Sequence, residues 1–289
     1  MPYRSVFRSD LFAGQNIIVT GGGTGIGRCT AHELIALGAR VVLIGRRMEK
    51  LEATAREIEA EGGAAECHAC DIRDEEGVKR TIAAIVAAHG RIHGLVNNAG
   101  GQFAAPLTGI SMKGWDAVVR NNLTGGFLMM REVFAQSMER HGGAIVNITA
   151  DLMWRGAPTM GHTGAARAGM DNLSKTAAVE WASSGVRVNV VAPGWVATSG
   201  MDTYDEETKT LFRTLHRHLP LQRLGTEAEV SAAIVFLLSD AAAFITGESL
   251  RVDGGAPLST VAWPMPEHDR SQPYEGFHLA ELPEVLRGR

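Results

Sequence analysis

The stretch Thr20-Gly21-Gly22-Gly23-Thr24-Gly25-Ile26-Gly27 decides the fold. It follows the apolar run Ile17-Ile18-Val19 and opens a helical pattern over residues 28–37, so the order is strand, glycine-rich turn, helix. Glycines are needed where a backbone turns tightly and must approach a ligand closely. A helix start offers unpaired N–H groups and the positive end of a dipole, which together suit a pyrophosphate. The spacing Gly21-x-x-x-Gly25-x-Gly27 therefore predicts a dinucleotide cradle, with Gly21, Thr24, Gly25, Ile26 and Gly27 as its residues.

Working outward, apolar strand runs recur at 16–20, 40–44, 64–69, 94–96, 144–148, 186–191 and 249–252. Between them, apolar residues at spacings of three and four predict helices over 31–37, 48–61, 75–89, 113–140, 164–183 and 227–238. Asp74 and Thr226 are the expected N-caps of two of these. Strands alternating with helices imply an α/β fold: a doubly wound, parallel, seven-stranded Rossmann sheet with helices on both faces. Residues 1–255 read as one such domain with a short N-terminal arm. The segment 256–289, with Pro257, Pro264, Pro266 and Pro273, reads as an extension packed on the body or on a neighbouring subunit. Residues 199–223 are long for a connection and hold a weak helix, the pattern of a mobile lid over a substrate.

The 289 residues are 45% hydrophobic and 21% charged, as in ordinary globular chains, and that length buries a core without disulfides or metals. A net charge of −4 without a long basic cluster argues against nucleic acid or an anionic membrane as partner. No apolar run reaches the roughly 18–20 residues of a membrane span. The first residues carry no apolar signal-peptide core, and the final Arg287-Gly288-Arg289 is not a Ser-Lys-Leu-type address, so a cytoplasmic setting is expected. Cys67 and Cys70 form a C-x-x-C, but on a strand residues three apart face opposite ways and no second pair follows. We expect a structural role for them and no metal site.

Further motifs accumulate along the chain: Asp71-Ile72 after the third strand, Asn97-Asn98-Ala99-Gly100 at the end of the fourth, Asn122 within Asn122-Leu123-Thr124-Gly125, Pro193-Gly194 after the sixth, and Val252-Asp253-Gly254-Gly255. Over roughly residues 12–255 these resemble the short-chain dehydrogenase/reductase family. The stretches 97–103, 113–125, 164–181 and Pro266-Glu267-His268-Asp269 resemble most its peroxisomal trans-2-enoyl-CoA reductases and their bacterial relatives, and more distantly its 2,4-dienoyl-CoA reductases. The resemblance implies a nicotinamide cofactor touched by Asp71, Ile72, Asn98, Gly100, Pro193, Gly194, Val196 and Thr198. Asp71 is read either as an acceptor for the adenine amine or as an N-cap-like loop acid. A homotetramer built on the two long helices is also implied.

The second strand ends Ile44-Gly45-Arg46-Arg47. NAD-specific sites usually place a carboxylate near here to bind both ribose hydroxyls. Arginines instead suit the 2′-phosphate of NADP, which a guanidinium binds bidentately, so NADP(H) is expected, held by Arg46 with help from Arg47.

Members of the family usually carry Asn, Ser, Tyr and Lys as a catalytic tetrad. Asn172-Leu173-Ser174-Lys175 and Glu180-Trp181-Ala182 fix the register here, which puts Thr163 at the tyrosine, Arg167 at the lysine and Ala150 at the serine, with Thr149 just before it. Asn122 alone of the four remains, as a catalytic residue or as the holder of a helix distortion. The departure bears on chemistry. Carbonyl reduction makes an alkoxide that needs a proton donor of suitable pKa, which a threonine hydroxyl is not. Reduction of a conjugated thioester leaves an enolate, which mainly needs hydrogen bonds at its oxygen. Asn122, Thr163 and Arg167 are thus the candidate catalytic residues, Arg167 also holding the nicotinamide ribose. Asp151, His162 and water are open candidates for the proton donor, with His162 read more readily as a surface or helix-start residue and Asp151 equally as a solvated loop aspartate. Gly101-Gln102-Phe103, Met153 and Trp154 are candidates to face an acyl chain, and Arg155, Arg213, Arg217 and Arg223 to meet phosphates of coenzyme A. The expected function is NADPH-dependent reduction of a 2-enoyl or dienoyl thioester. A dehydrogenase/reductase of a citronellol/citronellal-type terpenoid and a non-catalytic NADP-binding protein are the alternatives.

Overall fold

The structure, a computed structural model, describes residues 2–258, 265 and 267–287. Pro264, Pro266, Gly288 and Arg289 lie outside the described residues. Seven parallel strands form one sheet in the order β3-β2-β1-β4-β5-β6-β7: β1 Asn16–Thr20, β2 Arg40–Gly45, β3 Ala65–Ala69, β4 Gly94–Asn97, β5 Gly143–Ile148, β6 Val186–Pro193 and β7 Ser249–Val252. The strand order reverses between β1 and β4, and the crevice beyond their carboxyl ends is where such sheets bind ligands.

The helices are α1 Gly25–Ala36, α2 Met48–Ala60, α3 Glu75–His89, α4 Met112–Val119, α5 Gly125–Val133, α6 Glu139–His141, α7 Gly161–Glu180, α8 Glu206–Thr214 and α9 Glu227–Leu238. Alternate residues of each strand feed two layers. Ile17, Val19, Val41 and Leu43 pack under α1, α2 and α9 with Leu34, Leu51, Ile58 and Ile234. Ile18, Val42, Ile44 and Ile145 face the other way, onto Ile82, Met129, Val133 and Met170 from α3, α5 and α7. This two-sided burial is why the strands read as unbroken apolar runs. Cys67 and Cys70 divide the same way, each a free thiol against a different layer.

Three expectations are corrected. The first helix begins at Gly25, six residues before its apolar pattern does, because the glycines of the turn carry no periodicity. The long helix expected over 113–140 is broken by two π turns, Arg120–Thr124 and Phe134–Met138. The helix expected over 164–183 starts at Gly161 and ends at Glu180, before a 3₁₀ turn. Thr226 caps α9 with a full capping box to Glu229, whereas Asp74 takes the N-cap position of α3 with no side-chain cap bond.

Candidate functional site: the cleft at the strand carboxyl ends

The glycine turn lies where β1 ends. Gly21 and Gly25 have φ of +67° and +56°, which a side chain would strain. A Cβ on Gly27 would fall 2.5 Å from Asn98 Nδ2 and against the Gly21 carbonyl. The turn is pinned from below. Thr20 Oγ1 accepts from the backbone N–H groups of Asn98 (3.0 Å) and Ala99 (2.9 Å), and Asn98 Nδ2 donates to Thr20 O (3.0 Å). Asn98 therefore clamps the turn to the end of β4 as well as lining the cleft.

A cleft of about 250 Å³ opens over this turn, lined by Gly21, Thr24, Gly25, Ile26, Arg46, Arg47, Ile72, Asn98, Gly100 and Thr198 among the expected residues. Its glycine cradle, its open helix start and the two arginines at its rim suit a dinucleotide. Sequence reasoning missed Lys50 and Asn121, which line it too. The signal for Lys50 was helical spacing: at the start of α2 it stands one turn beyond Arg46 and Arg47.

Other expected residues do not reach this cleft. Gly27 supports the turn from behind. Asp71 is claimed by Arg73, which bonds both carboxylate oxygens (2.6 and 2.9 Å) and donates its own backbone N–H. These bonds hold the Asp71 carboxyl below its usual range. Val196 bridges to Gly225 and packs on the core, and Gly194 donates to Val252 O (3.0 Å) where β6 meets β7. Pro193 closes β6.

At the other end of the cleft, Asn122 is buried in the first π turn. Its Nδ2 donates to Val118 O (2.9 Å) and Gly101 O (2.6 Å), and its Oδ1 accepts from Gly101 N (3.1 Å). Taking the Val118 carbonyl competes with the helical ladder, which accounts for the π turn. Gly100 lies between Asn122 and Arg167: a Cβ there would fall 2.7 Å from Asn122 Oδ1 and 2.7 Å from Arg167 Nη2. The structure thus brings Gly100, Asn122 and Arg167 together.

Arg167 Nη1 donates to Ile148 O at the end of β5 (2.6 Å), and its Nε has no partner. The guanidinium pairs with no carboxylate among the described residues, and burial alone pulls its pKa down to about 10, so it stays charged at neutral pH. Thr163 and His162, in the first turn of α7, are wholly buried. The Thr163 hydroxyl has no protein partner. His162 Nδ1 accepts from Thr163 N (3.0 Å), its Nε2 has no partner, and its ring meets Phe103 edge-on at 4.5 Å. Burial lowers its pKa and keeps it neutral, so the surface reading fails and the helix-start reading stands. Asp151 is buried beside Arg155 (2.8 Å). Burial raises its carboxyl; Arg155 opposes that and Asp253 adds to it. Thr149 is buried on Val191 O, Met153 contacts it through sulfur, and Trp154 is half exposed under the Arg251 guanidinium.

The arginines expected to meet phosphates are mostly engaged within the chain. Arg155 holds Asp151, Arg213 donates to Val285 O, and Arg223 pairs with Glu229 at 2.6 Å.

A family described as enoyl-(acyl carrier protein) reductase matches residues 21–257. The chain belongs to the short-chain dehydrogenase/reductase family. It is 37% identical over 246 residues to a probable 2,4-dienoyl-CoA reductase of Bacillus subtilis, covering 84% of this chain and 96% of that one. It is 35% identical over 253 residues to a glucose 1-dehydrogenase of Gluconobacter oxydans, covering 86% and 94%. Among solved structures, a citronellol catabolism dehydrogenase (AtuB) of Pseudomonas aeruginosa PAO1 is 59% identical with a TM-score of 0.80, covering 88% of this chain and 99% of that one. The chain is an oxidoreductase of a family that uses nicotinamide cofactors. Among the described residues, no helix is long and apolar enough to cross a membrane.

Proposed function

We propose that this oxidoreductase reduces the conjugated C=C of a 2-enoyl or dienoyl thioester with NADPH. The observation that carries the reading is Arg167: a part-buried guanidinium, its Nε wholly enclosed, without a counter-charge, beside Asn122 and Gly100, in place of a group able to release a proton. A part-buried cation without a counter-charge favours a reaction that develops negative charge next to it, and an enolate does so without demanding an immediate proton. A nicotinamide cofactor held in this cleft would supply the hydride for the β-carbon. Arg167 then stabilises the developing negative charge and holds the nicotinamide ribose, and Asn122 fixes the Gly100-Gly101 backbone that faces it. Thr163 supplies a hydroxyl with no competing protein acceptor, once residues 151–160 give it access to the enolate oxygen. The α-carbon takes its proton from water or from Asp151, whose carboxyl burial raises while Arg155 opposes it.

Arg46, with Arg47 and Lys50, selects the 2′-phosphate of NADPH. Assembly into a homo-oligomer goes with this reading, since α5 and α7 expose Phe127 (37%) and Val179 (80%). Light scattering that returns a monomeric mass contradicts that part.

A second reading, a dehydrogenase/reductase of a citronellol-type substrate, is favoured by the 59% identity to the citronellol catabolism dehydrogenase. One experiment separates the two: NADPH carrying deuterium in its transferable position is supplied with each substrate, and the product is analysed by mass spectrometry. Deuterium at the β-carbon of a saturated acyl thioester supports the first reading. Deuterium at the former carbonyl carbon of an aldehyde overturns it.

A further inference from the structure

Residues 267–287 fasten two parts of the molecule that share little else. One end lies on the nucleotide half. Arg223 donates to Ser271 Oγ (2.9 Å) and Gln272 O (3.1 Å). The Thr226 hydroxyl donates to Tyr274 O (2.9 Å), and Glu229 accepts from Tyr274 N (3.2 Å), so the capping residues of α9 also hold this segment. Tyr274 Oη donates to Arg4 O (2.6 Å). Phe277 is buried with Tyr3, Cys29 and Ala228, under the Arg28 guanidinium at 5.0 Å, and His278 pairs with Glu61. Arg28 and Cys29 follow directly on the glycine turn, so this anchor sits on the rigid helix that opens at the cofactor cradle.

The other end lies on residues 199–218, which leave the cleft at Thr198. Asp202 accepts from two backbone N–H groups, those of Glu284 (Oδ2, 3.0 Å) and Val285 (Oδ1, 2.9 Å). Arg213 Nε returns a bond to Val285 O (3.2 Å). Val285 and Leu286 are buried against Met201, Phe212 and Leu215, in a cluster separate from both main core layers. Tyr204, on the same segment, accepts from Gln102 Nε2 (3.3 Å), next to the Gly101 backbone that Asn122 fixes. The segment therefore spans from the rim of the cleft to the loop after β4, and its apolar side is completed by residues far along the chain.

We propose that residues 267–287 form a strap, anchored on α1 and α9, that holds the segment 199–218 in one position over the substrate side of the cleft, with Asp202 as the positioning residue. A carboxylate taking two backbone N–H groups is a charge-assisted, two-point latch. Without it, Val285 and Leu286 lose their alignment with Phe212, and α8 keeps few buried neighbours of its own. Such a sparsely packed segment opens locally at low free energy. The strap orders the substrate side at the expense of its mobility. It explains why a connection this long is held in place by something other than the main core.

The test uses full-length Asp202→Ala and, independently, Val285→Asp, with Asp202→Asn as the conservative control. Amide hydrogen exchange is followed without substrate, so the result does not depend on which substrate reading holds. Each disruptive variant is expected to speed exchange in 199–218 by about tenfold or more while α1 and α9 keep their protection, since lost latching bonds raise local opening selectively. The NADPH dissociation constant stays within about twofold, and with a turned-over substrate KM rises about tenfold while kcat changes by less than about threefold, a loss of uniform binding. Asp202→Asn recovers part of the protection. Unchanged exchange in 199–218 in both disruptive variants overturns the proposal. So does equal loosening of α1 and α9, which would make the segment an ordinary part of one cooperative core.

Discussion

Around the glycine turn, the cleft is open, lined by backbone and by three cations at its rim, and the turn is hydrogen-bonded to the end of β4 beneath it. At the start of α7, a few residues from the same sheet edge, Thr163 and His162 are sealed and the Thr163 hydroxyl, His162 Nε2 and Arg167 Nε have no protein partner. Buried polar groups are normally satisfied, so three unpaired atoms gathered on the first two turns of α7 set this end apart from the hydrogen-bonded turn. The contrast also separates two kinds of constraint. The nucleotide end is fixed by backbone geometry, which leaves almost no freedom in residue type. The reacting end, as proposed, depends on the side-chain chemistry of Asn122, Thr163 and Arg167.

Substitutions that strike only one end sharpen this contrast. The largest effect is expected from Gly27→Val. Its side chain collides with the Gly21 carbonyl and Asn98, so NADPH affinity falls by more than about a hundredfold in a fluorescence titration, as close backbone approach requires. Retained affinity would break the cradle reading. Next, Arg167→Met removes the part-buried charge, and kcat is expected to fall by about a hundredfold or more under saturating cofactor, the scale of losing an electrostatic stabiliser. Arg46→Glu is expected to weaken NADPH about tenfold to a hundredfold while leaving NADH within about threefold, because only the 2′-phosphate meets the reversed charge.

Thr163→Val divides activity from stability. Removing an unpaired buried hydroxyl is expected to leave the fold as stable or raise it by about 1 kcal/mol, while kcat drops about tenfold if the hydroxyl serves the enolate. Equal kcat in the variant would remove Thr163 from the mechanism. The smallest effect concerns the nucleotide end. Glu227, beside Arg28 on α9, is pushed by burial from 4.5 to about 7. Its folded pKa is raised, so its contribution is fully present below about pH 4.5 and is lost as pH rises through about 7. Glu227→Gln is accordingly expected to flatten that part of the stability–pH curve in thermal melts. An unaltered slope would show that the carboxyl is better solvated than its surroundings indicate.

The fold was legible because its signals are local. Two-sided strands read as apolar runs, amphipathic helices show their period, and the glycine turn admits few other residues. What was hidden depended on tertiary partners. The π turn at Asn122 needs the Gly101 backbone: the asparagine was readable as the holder of a helix distortion, but nothing in the spacing of 113–140 shows where the helix breaks. The same side chain was legible as important but open in role, and here it is satisfied by backbone. Asp71 looked available for adenine because its pairing with Arg73 needs only a short loop that periodicity does not describe. Val196 turns to the core because Gly225 bridges to it from across the following segment. Three of the four arginines read as phosphate ligands, Arg155, Arg213 and Arg223, hold Asp151, Val285 and Glu229, partners that only the folded chain brings within reach.

The central claim is that the exchanged tetrad serves conjugated reduction of a thioester. Its most direct test is to follow NADPH oxidation by absorbance with trans-2-decenoyl-CoA and with citronellal in parallel. The account predicts consumption with the thioester and none with the aldehyde. Consumption with citronellal alone would contradict it: carbonyl chemistry would then proceed without the tyrosine, with a proton donor such as Asp151 in its place.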